Sequence, residues 1–405
     1  MGYFAMALNT TGTDNVAMGF AALDANTTGD DNTAIGDNAL GANTTADSNT
    51  AVGSSALGAT TTAGSNTAVG YNALDTNTTG ASNTAVGAEA LDANTTASFN
   101  TAVGEVAMRL TTTGASNVAV GRASFYTNTT GSDNTAVGNA ALYSATTASN
   151  NTAIGHDAGL LVTTGDRNTF VGSLAGDATN DGVENVAVGY GALSANCGDH
   201  NVAIGEESLP VCTGAGNTAV GRAAGLGVTS GGNNLFLGED AGRTGSPGGN
   251  ITTGSNVIVL GDENITAANI QVDWTVASDK RDKTDVTPME MGLDFINKLE
   301  PVTYKWDKRS KYVEQGEDFK DLITDGTHKE DWLDTGFLAQ DVEKLESEYG
   351  YNIADKTNLT TTLSDDGNQY GLTYSKFVPM LVKSVQELST QVDELKQELK
   401  TLKGE

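Results

Sequence analysis

The stretch NTAVGYNALDTNTTGAS (residues 66–82) is one copy of a seventeen-residue unit that fills most of the chain. Its first asparagine recurs at every seventeenth residue from Asn15 to Asn185, and three more copies follow at spacings of 16 or 17. A degenerate copy, NVIVLG, begins at Asn256. So strict a period is typical of repeat architectures in which each unit packs on its neighbours.

The composition of the unit predicts a mainly β structure. Asn, Thr and Gly are poor helix formers, and seventeen residues are too few for a pair of helices. Thr-Ala-Val and Ala-Leu are compatible with short strands, while Gly and Asn suit turns. We predict a parallel β-roll or solenoid over residues 1–261, with two strands per coil, coils about 4.8 Å apart and a ladder of stacked asparagines. The alternative is a disordered low-complexity tract, which would not keep the register.

Each coil contains only about two large apolar residues, such as Ile35 and Leu40. A single stack of coils would therefore hardly bury a core of its own. This predicts that three chains share one core, as a homotrimer.

The composition changes abruptly near residue 278. The formal net charge is −29, every lysine lies at or after Lys280, and all three tryptophans lie at or after Trp274. The acidic balance argues against a nucleic-acid partner, and no apolar stretch is long enough for a membrane span. Two Cys and three His predict neither a disulfide framework nor a metal site, and we expect no cofactor.

Three motifs follow this boundary in order. They are SDKRDK (278–283), PVTYKW (301–306) and GFLAQDVE (336–343). Together they resemble the intramolecular chaperone of phage endosialidase, a family found at the C-terminus of tail spikes and fibres. The resemblance covers about residues 278–390 and implies an α+β domain that trimerises and guides the upstream β-structure into register.

The resemblance also implies that the domain cuts itself off. Ser278 would be the nucleophile, Lys283 its general base, and the bond between Ala277 and Ser278 the one that breaks. A serine hydroxyl needs a base to take its proton, and burial on assembly would favour the neutral lysine that can do so. The reaction is a single turnover in cis, so no external substrate is predicted.

The last residues have a heptad pattern of apolar side chains. We name this set the seam: Val378, Leu381, Val385, Leu388, Val392, Leu395, Leu399 and Leu402. It predicts a coiled-coil helix, and the alternative is an amphipathic helix packed on its own domain. Valine at a with leucine at d favours a parallel dimer, whereas the family resemblance implies a trimer. The predicted domains are a shaft (1–261), a linker with the cleavage site (262–277), a chaperone (278–373) and the helix (374–405).

The NTAVGxxAL units themselves are similar to the head repeats of trimeric autotransporter adhesins, which form a left-handed parallel β-roll as a trimer. The similarity covers about residues 2–261. Because the chain begins in the middle of a repeat, we expect either that an upstream part is missing or that another polypeptide, such as a tail or baseplate protein, supplies the attachment.

These features predict a phage tail-fibre shaft that recognises a host surface glycan or receptor. It would be made in the host cytoplasm and carried in the virion. A bacterial trimeric surface adhesin is the alternative, although the chain has no secretion signal and ends in TLKGE rather than a membrane β-strand. An ice-binding solenoid is a third reading, since Thr-Thr pairs recur along the coils.

Two pairs of residues stand out within the repeats. Cys197 and Cys212 fall on adjacent coils, where they could form a disulfide or, as we favour, fill a turn as small residues. Phe125 and Tyr126 are adjacent aromatic residues, which we interpret as packing residues rather than a ligand site.

Overall fold

The computed structural model describes residues 2–271, 274–313, 319–364 and 366–404. The chain forms two compact units. The first comprises Met1–Gly242 and Ile251–Gly261, and the second comprises Arg243–Asn250 and Asp262–Glu405. The predicted linker includes residues 272–273, which lie outside the described residues.

The first unit is a parallel β-solenoid with one three-residue strand in each coil. All fifteen strands pair in chain order in a single sheet, and Thr67 lies opposite Thr84 as Ala68 lies opposite Ala85. The predicted solenoid is thereby confirmed. The strands are β1 (Val16–Met18), β2 (Thr33–Ile35), β3 (Thr50–Val52), β4 (Thr67–Val69), β5 (Thr84–Val86), β6 (Thr101–Val103), β7 (Val118–Val120), β8 (Thr135–Val137), β9 (Thr152–Ile154), β10 (Thr169–Val171), β11 (Val186–Val188), β12 (Val202–Ile204), β13 (Thr218–Val220), β14 (Leu235–Leu237) and β15 (Ile258–Leu260).

The prediction of two strands per coil is wrong, because the Ala-Leu segment is a turn. Asn72 and Leu74 both have φ of 53°, in the left-handed region that an extended strand excludes. The segment nevertheless bonds to both neighbouring coils. The N–H of Leu74 donates to the carbonyl of Ala90 at 3.0 Å, and the N–H of Asn72 donates to the carbonyl of Ser54 at 3.1 Å. Backbone groups are thus satisfied without a second sheet.

Asparagine ladders run along the stack, as predicted. The side-chain oxygen of Asn49 accepts from the backbone N–H of Asn66 at 3.0 Å, and the side-chain amide of Asn66 donates to the carbonyl of Gly80 at 3.0 Å. A second ladder joins side chains directly: the side-chain N–H of Asn94 donates to the side-chain oxygen of Asn77 at 2.9 Å. Because both ladders are buried, these bonds stabilise each coil against its neighbours and hold the register.

The coils of a single chain enclose their own core, so the expectation that a single stack would hardly bury a core is wrong. Ala68, Ala73 and Leu74 are fully buried, and their equivalents on the other coils form one continuous cluster. Small alanine side chains let the opposite walls of the coil approach closely, and one leucine then fills the remaining space. The single chain therefore needs no sister copy to enclose this core.

Two aspartates of adjacent coils face each other on the surface of the solenoid. Burial raises the pKa of the Asp75 carboxyl, and the charge of Asp92 raises it further. Burial also raises the pKa of Asp92, although Arg109, 3.7 Å away, opposes that shift. A carboxyl whose pKa is higher in the folded than in the unfolded chain destabilises the fold wherever it is ionised.

We expect Asp75→Asn to raise the midpoint of thermal unfolding at pH 7, by roughly 1–3 °C after allowing for solvent screening. The gain should shrink as the pH falls through the raised pKa of Asp75, because the native carboxyl is then neutral. It should vanish below the ordinary aspartate value, near 4. Circular dichroism melts of both proteins at pH 7 and pH 4 measure the difference. A lower midpoint for the variant at pH 7 would contradict the prediction.

The second unit is an α+β domain that ends in a long helix. Its elements are α1 (Leu293–Lys298), β16 (Val302–Tyr304), β17 (Asp334–Gly336), α2 (Ala339–Glu348), β18 (Thr361–Leu363), β19 (Tyr370–Leu372) and α3 (Phe377–Lys403). β16 pairs antiparallel with β17, and β18 pairs antiparallel with β19. This arrangement and the C-terminal helix confirm the predicted fold class. The charged run 310–334 includes residues 314–318, which lie outside the described residues.

A small core holds the helices of this unit together. Its buried members are Met291, Phe295, Val342, Leu345, Phe377 and Met380. The fully buried carboxylate of Glu346 connects α2 to β18. It accepts from the N–H and hydroxyl of Thr360 at 2.6 and 2.7 Å, and from the hydroxyl of Thr361 at 2.5 Å. These bonds compensate the cost of burying the charge.

Candidate self-cleavage site

A short turn carries the predicted site. One turn of 3₁₀ helix spans Lys280–Asp282, and the carboxylate of Asp279 caps it by accepting from the N–H of Arg281 at 2.9 Å. The N–H of Lys283 donates to the carbonyl of Lys280 at 3.3 Å and ends the turn. A single turn of this kind reverses the chain, so that residues five apart in sequence can meet.

Ser278 and Lys283 do meet across this turn. The Nζ of Lys283 donates to the Oγ of Ser278 at 2.6 Å. This is hydrogen-bonding distance for a nucleophile and its base, and the same contact would pass the proton from serine to a neutral lysine. The roles of the two residues stay a prediction.

Beside this pair, Arg281 and Asp279 form an ion pair. The guanidinium of Arg281 donates to both carboxylate oxygens of Asp279, with the shortest contact at 2.6 Å. The hydrogen bond from the Arg281 side chain lowers the pKa of the Asp279 carboxyl, and the same bond raises the pKa of Arg281. Asp279 is therefore engaged by Arg281, and its charge is balanced beside the Ser278–Lys283 contact.

The site is open to solvent in the single chain. Ala277, Ser278 and Lys283 are all exposed, and Ala277 and Ser278 lie in irregular backbone. A lysine in water carries a proton at neutral pH and cannot accept another. The isolated chain thus brings the two side chains together without the burial that would activate them.

The two cysteines of the repeats are separate thiols. Both are buried in the solenoid core, and Cys197 lies 3.3 Å from the hydroxyl of Thr179. Burial raises the pKa of Cys197, and it raises the pKa of Cys212 to about 11. Burial therefore holds them as neutral side chains that fill the coil, which is the reading that the sequence favoured.

The adjacent aromatic residues are packing residues, as interpreted from the sequence. Phe125 is fully buried at the position that leucine occupies in other coils. Tyr126 stacks on Tyr143 of the next coil, with ring centroids 5.1 Å apart and planes 3° apart. Each tyrosine thus packs one face of its ring against the neighbouring coil.

One set of contacts within the second unit, between residues 243–250 and Asp366, could not be read from the sequence. Residues 243–250, which look like a Gly-rich insertion in the last coil, are part of that unit. The N–H of Asn250 donates to the carboxylate of Asp366 at 2.9 Å. The spacing of 22 between Asn234 and Asn256 reveals the insertion, but nothing in the sequence names Asp366 as its partner.

Part of the second unit is similar to a known protein family. Residues 278–351 match the family model described as chaperone of endosialidase. The matched region begins at Ser278 and includes all three motifs that carried the resemblance, so the prediction of a C-terminal chaperone domain is confirmed. No curated protein and no solved structure matches the chain. Among the described residues, no helix is both long and apolar enough to cross a membrane.

Proposed function

We propose that this chain is a subunit of a phage tail fibre or tail spike. Its solenoid forms a trimeric shaft, and its C-terminal domain guides trimeric folding and is then released by self-cleavage between Ala277 and Ser278. The observation that carries the proposal is the match to the chaperone of endosialidase family, which starts at Ser278. As a tail protein it would belong to the virion, with a tail or baseplate protein as its upstream partner.

The contact between Ser278 and Lys283 supports the chemistry. With Lys283 neutral, its amine takes the hydroxyl proton while the Oγ of Ser278 attacks the carbonyl carbon of Ala277. The C–N bond breaks, the proton passes to the released amine of Ser278, and an ester joins the two segments. Water then hydrolyses the ester, which leaves a carboxylate on Ala277 and restores the serine hydroxyl.

The exposed seam of α3 supports an oligomer. Helix α3 packs on its own domain through Phe377, Met380 and Ser384, which are buried. Every member of the seam is at least 41% exposed, with Leu402 at 85%. Parallel helices from other copies would cover this seam, as in a coiled coil. Packing on its own domain therefore accounts for only the first turns of the helix.

The solenoid has a second uncovered apolar surface. The last residue of each strand is Val, Ile, Leu or Met, and none of these residues is buried. These side chains form a column along the whole sheet, and the following members are each at least 36% exposed: Val69, Val86, Val120, Ile154, Ile204, Val220, Leu237 and Leu260. Parallel sheets are normally covered on both faces. Two sister copies, aligned by the chaperone, would cover this one.

The rest of the shaft surface suits a stiff, soluble and acidic fibre. Its turns present Asn, Thr and Asp side chains, such as Thr78, Thr79 and Asp30. Polar groups of this kind can bond to a host surface glycan, which is the class of receptor that we propose.

Expression of the whole 405-residue chain tests the proposal. We expect a denaturing gel to contain two bands, 1–277 and 278–405, and N-terminal sequencing of the smaller to begin at Ser278. Native mass measurement should give three copies of the shaft fragment. A single full-length band, or a shaft that is a stable monomer, would contradict the proposal.

A further inference from the structure

The insertion in the last coil lies outside the regular stacking. Leu235 of β14 pairs with Ile258 of β15, so the register advances by 23 residues instead of 17, and the sheet continues without a break. Residues 243–250 belong to the second unit, whereas the residues before and after them belong to the solenoid. We call these eight residues the docking segment.

One end of the docking segment lies on the turn between β18 and β19. The N–H of Asn250 donates to Oδ2 of Asp366 at 2.9 Å. The other oxygen of Asp366 accepts from the hydroxyl of Ser364 at 2.5 Å and from the N–H of Asn368 at 3.0 Å. These bonds within the turn orient the carboxylate toward the docking segment.

Gly249 makes this approach possible. Its φ is +77°, and a Cβ at this position would lie 2.6 Å from Oδ1 of Asp366 and 2.7 Å from the Cβ of Ser364. Any larger residue would therefore push the docking segment away from the turn.

The other end of the docking segment lies against the residues after β16. A Cβ on Gly245, whose φ is +95°, would be 2.8 Å from the Cβ of Ser310. Nearby, the Nζ of Lys308 donates to the backbone carbonyl of Glu263 at 2.5 Å. Arg243 and Ser246 of the docking segment are themselves buried. The docking segment is thus held at two places.

All of these contacts cross the proposed cleavage point. The docking segment and Glu263 precede Ala277, whereas Lys308, Ser310 and Asp366 follow Ser278. Hydrolysis of one peptide bond changes none of them. In a trimer they would occur three times, and contacts repeated in one assembly oppose dissociation together.

We propose that the docking segment keeps the cleaved chaperone bound to the shaft, with Asp366 as its anchor. This inference rests on the proposed cleavage, and it adds that cutting the chain and releasing the chaperone are separate steps. The binding partner of Ser364 and Asp366 is residues 243–250 of the chain.

The test separates docking from self-cleavage. In the full chain carrying Ser278→Ala, residues 264–270 are replaced by the recognition sequence of a site-specific protease, and the purified protein is cut with that protease. We expect the two fragments to elute together from a size-exclusion column. Asp366→Ala should make them separate, with at least a tenfold loss of affinity, whereas the control Asp341→Ala, at an exposed position on α2, should not.

A second variant leaves the chaperone sequence unchanged. Gly249→Ala alters only the docking segment and should also separate the fragments, so misfolding of the chaperone cannot account for the result. Separation of the parent fragments, or co-elution of the fragments of either variant, would overturn the inference. Absence of self-cleavage in the unaltered chain would contradict the proposed function instead and leaves this assay valid.

Discussion

Replacing Ser278 with alanine is expected to leave the chain uncut, with one full-length band on a denaturing gel. The hydroxyl of Ser278 is the group that attacks Ala277 in the proposed reaction, and alanine has no atom that can replace it. The trimer should still form, because the exposed seam and the aliphatic column are unchanged. Native mass measurement of the uncut protein checks this point.

Lys283→Ala should slow the cut by about 10²–10⁴-fold, which is the usual contribution of a general base. Lys280→Ala is the matched control, because Lys280 is also an exposed lysine of the same turn but lies outside the contact with Ser278. Cleavage by either Ser278→Ala or Lys283→Ala at the unaltered rate would exclude the proposed dyad.

The second large effect is expected from the seam. Leu388 and Leu395 are 50% and 63% exposed in the single chain, so Leu388→Asp with Leu395→Asp should leave the fold of each chain unchanged. In a coiled coil each leucine would contribute roughly 1.5–3 kcal/mol per chain by burial, and a buried aspartate would cost more. We expect the doubly substituted chaperone to dissociate, as measured by sedimentation at micromolar concentration.

Assembly and cleavage are coupled in this account, so the same variant should be cut slowly. The Ser278–Lys283 pair is exposed in the single chain, and its burial by neighbouring copies is the trigger that we propose. Gln397→Asp is the matched control, because Gln397 is exposed on the helix face opposite the seam. A monomer that still cuts itself at the normal rate would show that assembly is not the trigger. A parent chaperone that sediments as a dimer would contradict the trimer.

The period of the repeat was readable in the residues, but the internal geometry of a coil was not. The strand Thr67–Val69 follows from its β-branched residues, and the asparagine ladder follows from the repeat of Asn49 and Asn66. The turn at Leu74 could not be predicted, because leucine rarely adopts positive φ. Here burial of its side chain and bonds to both neighbouring coils outweigh the local preference.

The family resemblance implied the pairing of Ser278 with Lys283, and the two side chains can meet because they are close in sequence. Ser278 and Lys283 are separated by one turn, and a capping aspartate at residue 279 favours that turn. The core of the single chain was not predicted, for a different reason. Counting large apolar residues overlooks alanines such as Ala68, which enclose a narrow core when the walls of a coil lie close together.

The sequence alone determined the stacking of the coils. Each residue lies beside the equivalent residue of the next repeat, so the period of the sequence sets the register of the sheet. What only the tertiary structure decided is the position of the docking segment. Asn250 and Asp366 are 116 residues apart, and no period connects them. Their contact depends on how two differently built segments pack, and that packing follows from the whole domain rather than from any local pattern.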